Sequence, residues 1–324
     1  MTAALTPHIL LTRDFLRAGD RKTMSTLSSR GEVVRIGHGA YVRTEQWERM
    51  DPDARFRSVI RAAAYLFPGA GPFSHRSAAV LLGLPSPDPW PRRAEVIAAP
   101  DGSVRAVTGL LRHLAPMPDE IVIVEGFPVT TLARTVVDVA RTARPRVGLV
   151  MADHLLARDS SPGRQDLLRE LERLAGSSGL RRARQIIEFA DGRAGSPGET
   201  VSRLCFWTIG APMPQLQVPF SDTFGLIGIV DFWWPEFGLI GEFDGRVKYQ
   251  RSEFLAGRSA AEAVIDEKRR EDRLRALGPR VLRWGWDEAT NPELMRRILL
   301  GSGLPLVAPR ASSRVLPQQR GSAA

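Results

Sequence analysis

The sequence predicts a mixed α/β fold, α+β overall, built from short helices and strands in more than one domain. Apolar residues first recur at helical spacing and then alternate near the N-terminus, and two further runs alternate in the middle of the chain. Near the C-terminus, two apolar runs flank a turn of proline and glycine. At 324 residues, the chain is long enough for two or three domains, each with its own core.

The composition favours a polyanionic partner. The formal net charge is +9 and the sequence pI is about 10.7, which favours contacts with phosphate, although a coding bias towards arginine would raise the charge as well. Cys205 is the single cysteine, so an internal disulfide framework is excluded, and the five dispersed histidines have no zinc-site spacing. Because no apolar run reaches the length of a membrane span and the N-terminus has no basic start, we expect a cytoplasmic protein without a membrane anchor.

Residues 10–44 have the pattern of two helices followed by a two-stranded hairpin. A capping threonine opens the first helix, and Met24 and Leu27 recur at helical spacing in the second. Residues 32–36 then alternate as a strand, a Gly-His-Gly turn follows, and residues 40–43 return. This order is typical of a winged helix-turn-helix domain.

In such a domain the second helix enters the major groove of double-stranded DNA, and the wing touches phosphate or the minor groove. The residues of the helix expected to face DNA are Lys22, Ser25, Thr26, Ser28, Ser29 and Arg30. Those of the wing are Arg35, His38 and Arg43. A winged helix that docks a protein instead of DNA is the alternative reading of the same pattern.

Residues 5–155 resemble AbiEi-type antitoxins, which are bacterial transcriptional regulators of type IV toxin–antitoxin systems. The resemblance is carried first by TRDFLRAG and LSSRGEVVRIGHGAYV, and separately by residues 73–79 (FSHRSAA) and 126–138 (GFPVTTLARTVVD). It implies a DNA-binding regulator with a cognate toxin protein as partner.

The middle of the chain carries less chemistry. Residues 94–98 and 120–124 alternate as strands. Ser74 is predicted to cap the helix that follows it. Arg134 and Asp138 lie at positions i and i+4 of a helix, which predicts a surface ion pair worth only tenths of a kcal/mol.

The clearest domain boundary is residues 192–198 (GRAGSPG), which follow two charged amphipathic helices over residues 165–189. Glu199 opens the next helix, where an acidic residue is also simply a good helix starter. The predicted domains are residues 5–50, 51–190 and 191–307, with residues 308–324 as a polar, basic and disordered tail.

The stretch LIGIVDFWWPEFGLIGEFDG, residues 226–245, predicts a β-hairpin. If Pro235 and Gly238 bracket the loop, Trp234 faces Leu239 and the register places acidic residues of the two strands opposite each other.

Those acidic residues are Asp231 and Glu242, and Asp244 lies on the same face, so three carboxylates are expected to converge. Mg²⁺ or Mn²⁺ is the simplest ion to offset their repulsion, because carboxylate oxygens and substrate phosphate suit it. The alternative is that these acids are solvated or belong to a turn, and a slip of one residue would separate them. Lys248, one of only three lysines, follows within six residues and could orient an attacking water.

An acidic helix residue, an aspartate on one strand and Glu-x-(Lys or acid) on the next resemble the core of PD-(D/E)XK nucleases. The resemblance is closer to the endonuclease-like domains akin to very-short-patch-repair endonucleases, and it covers about residues 190–300. It implies that the catalytic residues are Glu199, Asp231, Glu242, Asp244 and Lys248, with Asp231, Glu242 and Asp244 as metal ligands. This sequence departs from the pattern at Asp244, which stands where the family has lysine.

The helix predicted over residues 252–277 is rich in charge. Its basic residues Lys268, Arg269, Arg270 and Arg273 either contact phosphate or belong to a solvated surface. The sequence thus predicts a DNA-binding protein with a Mg²⁺-dependent endonuclease-like domain that hydrolyses phosphodiester bonds. The alternative is a non-catalytic transcriptional regulator or antitoxin that uses a degenerate nuclease fold as a scaffold.

Overall fold

The computed structural model describes residues 8–17, 21–98, 109–158, 162–245 and 260–306. The chain divides into two compact units. The first unit comprises residues 1–143 and 162–184, and the second comprises residues 144–161 and 185–324. The mixed α/β class is as predicted, and no helix among the described residues is long and apolar enough to cross a membrane.

The first unit begins with a small helical layer on a three-stranded sheet. Its elements are β1 (Leu10–Leu11), α1 (Thr12–Arg17), α2 (Arg21–Ser29), β2 (Val33–Gly37), β3 (Ala40–Arg43), α3 (Thr44–Glu48) and α4 (Pro52–Leu66). The sheet order is β1-β3-β2, with both pairs antiparallel. Ile36, Ala40 and Val42 of the hairpin are buried with Ala62 of α4. Asp51 caps α4 by accepting from the Ala54 N–H at 2.8 Å. The predicted order of two helices followed by a hairpin is therefore present.

The remainder of the first unit packs helices on a second set of strands. Its elements are α5 (His75–Leu81), β4 (Ala94–Ala98), β5 (Leu110–Leu114), β6 (Ile121–Val124), β7 (Phe127–Thr130), α6 (Leu132–Thr142) and α8 (Arg164–Arg173). β4 and β5 are parallel, and β6 and β7 form an antiparallel hairpin. Phe73 bridges the two pairs, because its N–H donates to the Pro128 carbonyl at 2.8 Å and it also pairs with Val96.

The second unit is built on a four-stranded sheet. Its elements are α7 (Pro145–Leu156), α10 (Pro197–Thr208), β8 (Gln215–Asp222), β9 (Gly225–Trp234), a 3₁₀ turn (Pro235–Phe237), β10 (Leu239–Phe243), α11 (Ala260–Ala276), β11 (Arg280–Trp284), α12 (Trp286–Thr290) and α13 (Pro292–Gly301). α9 (Leu180–Phe189) supplies residues to both units. The sheet order is β11-β10-β9-β8, and α11 connects β10 to the parallel strand β11. The helix that contains Glu199 precedes the sheet as predicted, and α11 is the part of the predicted helix of residues 252–277 that lies within the described residues.

Two apolar clusters cover the two faces of this sheet. On one face, Phe206 of α10 meets the rings of Phe232, Trp234 and Trp284 at centroid distances of 5.2, 5.3 and 5.5 Å. On the other face, Ile240 packs with Leu274 of α11 and with Ile227 and Val230 of β9. Residues of β10 alternate between these clusters, as the two-residue period of a strand requires.

Glycine allows α10 to approach the sheet closely. A Cβ atom on Gly198 would lie 2.0 Å from the Phe243 ring, so only glycine fits in this first turn. Pro197 precedes it at the start of α10, and the Ser196 hydroxyl caps the helix by accepting from the Glu199 N–H at 3.2 Å. These local features hold Glu199 within hydrogen-bonding distance of Gln217 in β8.

Candidate functional site

The N-terminal surface presents a polar face on α2. Met24 is buried, whereas the side chains of its neighbours on the opposite face are exposed, as an amphipathic helix requires. The exposed residues are Ser25, Thr26, Ser28, Ser29 and, directly after the helix, Arg30. Lys22 lies in α2, but its side chain is outside the described residues.

The β2–β3 hairpin carries the predicted basic residues on its exposed side. Arg35 donates from Nε to the Gly37 carbonyl at 3.1 Å and approaches His38 Nδ1 at 3.5 Å, so it lies over the turn. Arg43 is 3.7 Å from Glu32, and both side chains are about half exposed. Such an exposed pair contributes little and leaves the guanidinium free to exchange partners. The exposed basic groups could therefore contact phosphate.

The hairpin of the second unit has the predicted register. Trp234 pairs with Leu239, Trp233 with Ile240, and Phe232 with Gly241. Gly238 adopts φ 52°, ψ 41° at the end of the 3₁₀ turn, which explains the glycine there. The ladder ends there, so the expected pair of Asp231 with Glu242 is not formed as a ladder pair among the described residues.

The Glu242 carboxylate is held by two arginines. Arg270 of α11 donates from Nη2 to Oε1 at 2.6 Å and from Nη1 to Oε2 at 3.2 Å, which is bidentate geometry. Arg283 of β11 lies 3.2 Å from the same carboxylate. Although burial alone lowers the pKa of Arg270, the hydrogen bond and charge of Glu242 outweigh it and raise that pKa. Glu242 is only 8% exposed, so both of its oxygens are satisfied inside the protein.

Arg270 belongs to a larger charge network on α11. Both Arg270 and Arg283 also pair with Glu267, and Arg283 pairs with Glu271. Arg273 binds Asp222 through two hydrogen bonds of 2.6 and 2.8 Å. Two of the four basic residues predicted to meet phosphate or solvent are therefore bound to acids of the sheet; Lys268 and Arg269 remain exposed.

Asp231 has different partners from Glu242. It accepts from the Phe243 N–H at 2.9 Å and lies 3.3 Å from the Gln217 amide nitrogen. The same Gln217 nitrogen donates to Glu199 at 2.8 Å, and the Gly195 N–H donates to Glu199 as well. Burial, and then the charge of Asp231, raise the pKa of Glu199. The structure thus brings Glu199 and Asp231 together, which the sequence pattern predicted only through the nuclease resemblance.

The structure bears on only part of the predicted convergence of three carboxylates on one ion. Glu242 is engaged by arginines, and Asp244 donates its backbone N–H to the Trp284 carbonyl at 2.8 Å. Within the five described ranges, no group of three or more His, Cys, Asp and Glu side chains is arranged to hold a metal ion. Lys248 lies outside those ranges. Glu242, one of the three predicted ligands, already has two cationic partners, which opposes a shared metal ion at that carboxylate, and the binding of Mg²⁺ or Mn²⁺ stays a prediction.

The predicted surface ion pair of α6 is buried, which sequence spacing could not show. Arg134 and Asp138 are 2% and 0% exposed, and Nε donates to Oδ2 at 2.7 Å. Arg134 also donates to the Pro116 carbonyl and lies 3.6 Å from Glu170 of α8. The pair is buried because α8 packs against α6, and burial raises the pKa of Asp138 despite Arg134.

The structure also differs from the prediction at the start of α5. The Ser74 hydroxyl makes no capping hydrogen bond; it lies 2.9 Å from Nδ1 of His75, and Glu95 instead accepts from the Arg76 N–H at 2.7 Å. His75 is 1% exposed at φ 50°, and its ring stacks on His113 at a centroid distance of 3.5 Å. Burial, and then the charge of His113, lower the pKa of His75 well below its usual value.

Two kinds of similarity to known proteins bear on the chain. Two proteins of Mycobacterium tuberculosis, uncharacterized protein MT2308 of strain CDC 1551 / Oshkosh and uncharacterized protein Rv2248 of strain H37Rv, are each 29% identical over 258 residues. Each alignment covers 80% of this chain and 87% of the relative. The crystal structure of the RV2827C protein from the same species aligns with 15% identity and a TM-score of 0.36, over 67% of this chain and 84% of that chain.

The family comparison concerns the middle of the chain. Residues 70–189 match the family model of the AbiEi antitoxin C-terminal domain. The segments 73–79 and 126–138, which carry the predicted resemblance, fall inside this match, whereas the helix–hairpin segment before it lies outside. Residues 70–189 are therefore similar to the AbiEi antitoxin C-terminal domain.

Proposed function

We propose that this chain is a DNA-binding transcriptional regulator of the antitoxin type, in which the second unit is a non-catalytic scaffold. The observation that carries the proposal is the exposed polar face of α2, followed at once by a hairpin whose basic residues are also exposed. The match of residues 70–189 to an antitoxin family supports it and makes a cognate toxin the proposed protein partner.

The proposed contacts follow from the chemistry of the exposed groups. Hydroxyls of Ser25, Thr26 and Ser29 donate to base edges or phosphate as α2 enters the major groove. Arg35 and Arg43 of the hairpin neutralise phosphates, with His38 at the turn. The net charge of +9 adds attraction that does not depend on sequence.

A second candidate function is Mg²⁺-dependent cleavage of DNA by the second unit. The proximity of Glu199, in the first turn of α10, to Asp231, within the central strand β9, favours it. The two arginines on Glu242 oppose it, because they supply in advance the positive charge that a metal ion would bring. We therefore place the regulator first.

The DNA-binding proposal predicts a change in salt dependence. Replacing both Arg35 and Arg43 by alanine removes two phosphate contacts, so the slope of log affinity against log salt should fall by about 2, with weaker binding to every duplex. Gel-shift titration of the full chain at several salt concentrations measures both quantities.

The matched control is the double variant Arg275→Ala, Arg297→Ala, which removes the same charge from exposed sites in the second unit. It should leave the slope within error of the unsubstituted chain. Equal losses in the two double variants would mean that net charge alone, and not the α2–hairpin surface, determines binding.

A further inference from the structure

The strand β6 forms an open, apolar edge in the first unit. Ile121, Val122 and Ile123 are 50%, 37% and 68% exposed, although all three are large hydrophobic residues. One side of β6 pairs with β7, and no strand of the described residues pairs with its other side. An exposed apolar edge of this kind is a template for pairing with another strand.

The turn of the hairpin shows which backbone groups of β6 point away from β7. Glu125 and Gly126 have φ angles of 52° and 82°, as in a two-residue type I′ turn. In that geometry Val124 exchanges hydrogen bonds with Phe127, so alternate residues, Ile121 and Ile123, direct their N–H and C=O groups away from β7.

The proline opposite Ile123 agrees with this assignment. Pro128 has no N–H, and it pairs with Ile123 at a position where none is needed. Its carbonyl instead accepts from Phe73 on the far side at 2.8 Å. The open edge of β6 therefore offers two backbone donors and two acceptors.

Clefts lie on both faces of β6. The first, of about 600 Å³, is lined on one face by Glu120, Val122 and Val124, together with Arg169 and Arg173 of α8; we call it the mixed cleft. The second, of about 480 Å³, lies on the other face; we call it the apolar groove. Its lining includes Ile121 of β6 together with Tyr65, Phe67, Pro68 and Phe127.

An added strand would use both clefts at once. Successive side chains of a strand point to opposite faces, so alternate residues of a segment paired with β6 would enter the apolar groove and the mixed cleft in turn. Backbone hydrogen bonds supply affinity in such pairing, and clefts for alternate side chains supply specificity.

The charges near β6 favour a partner protein over a second copy of this chain. Glu120 is exposed and forms no ion pair with any described residue, and the Asp119 side chain is 78% exposed with Arg173 4.0 Å away. A second β6 would bring two more acids and no base into the same ladder. A basic side chain opposite Glu120 would instead be attracted across the strands.

We propose that the open edge of β6 binds an extended segment of a partner protein by strand addition. The segment has apolar side chains towards the apolar groove and a basic side chain opposite Glu120. This inference rests on the proposed function in one respect only, which is that the chain has a protein partner. No residue of α2 or of the β2–β3 hairpin takes part, so DNA binding and strand binding fail independently.

The probe is a labelled, end-blocked heptapeptide in which valine alternates with arginine and threonine, titrated against the full chain by fluorescence polarisation. Saturable binding is expected, and the same peptide N-methylated at the backbone groups facing Ile121 and Ile123 should bind about tenfold more weakly. Methylation leaves the charge and side chains of the peptide unchanged, so this comparison isolates the backbone hydrogen bonds and requires no variant protein.

Matched variants then locate the site. Ile123→Pro removes one outward N–H without removing a bond to β7 and should weaken binding about tenfold, whereas Ile123→Thr keeps that N–H and should retain most of the affinity. Both should bind DNA like the unsubstituted chain.

Three results would overturn the proposal: no saturable binding, equal binding of the methylated and unmethylated peptides, or self-association that Ile123→Pro abolishes. The last would assign the edge to a second copy.

Discussion

Replacing Asp153 by alanine is expected to lower the free energy of unfolding of the second unit by about 3–5 kcal/mol, because it leaves a buried cation without its partner. The Asp153 carboxylate accepts from Arg203 Nη1 at 2.7 Å, from the Thr200 hydroxyl at 2.8 Å and from the Asp191 N–H at 2.7 Å. Arg203 is 2% exposed and lies over the Phe189 ring, so water cannot replace the lost acid.

Denaturant unfolding followed by tryptophan fluorescence measures this effect, since five of the seven tryptophans lie in the second unit. Asp287→Ala, which removes an exposed acid from the same unit, should change the free energy by a few tenths of a kcal/mol. The pair Asp153→Leu, Arg203→Met should recover much of the loss, because it removes both buried charges. A loss below about 1 kcal/mol for Asp153→Ala would contradict the assignment of this network as a central support.

Replacing Glu242 by alanine is expected to lower the free energy of unfolding by about 2 kcal/mol. Arg270 and Arg283 would then lose their shared acid in a partly buried place, although Glu267 still pairs with both. A carboxylate kept for metal binding beside other acids gives the opposite sign, because its removal relieves repulsion and commonly stabilises the fold. The direction of the change therefore separates an ion-paired Glu242 from a catalytic one.

The control for this experiment is Asp231→Asn. It keeps the acceptor for the Phe243 N–H and removes the charge that raises the pKa of Glu199, so stability should change by less than about 1 kcal/mol. An increase in the free energy of unfolding for Glu242→Ala would count against the arginine network and would favour the nuclease function over the regulator function.

The local patterns of the sequence predicted much of the secondary structure. Pro235 and Gly238 fixed the loop of the hairpin, and the two-residue period of the strands then gave the pairing of Trp234 with Leu239. The helices before and after residues 176–179 and the strands near residues 96 and 122 were also found where alternation or helical spacing placed them. These features depend on neighbours in the chain, which is why they can be read without a structure.

The contacts that decide the candidate site are of a different kind. Arg270 reaches Glu242 across 28 positions of sequence, and the contact depends on how α11 packs on the sheet. Sequence spacing identified Arg270 as basic and helical but could not choose between phosphate, solvent and a buried acid. For the same reason, the sequence pattern predicted that Arg134 and Asp138 lie on the surface. The helix that covers them, α8, follows more than twenty residues later in the chain.

The most direct test of DNA binding without cleavage is an assay on duplex DNA with Mg²⁺ or Mn²⁺, comparing the full chain with Glu242→Gln. Glutamine keeps the size of the side chain and loses its charge, so any difference reports the carboxylate. We expect salt-sensitive DNA binding by both proteins and no metal-dependent cleavage by either. Metal-dependent cleavage by the unsubstituted chain that Glu242→Gln abolishes would contradict this expectation.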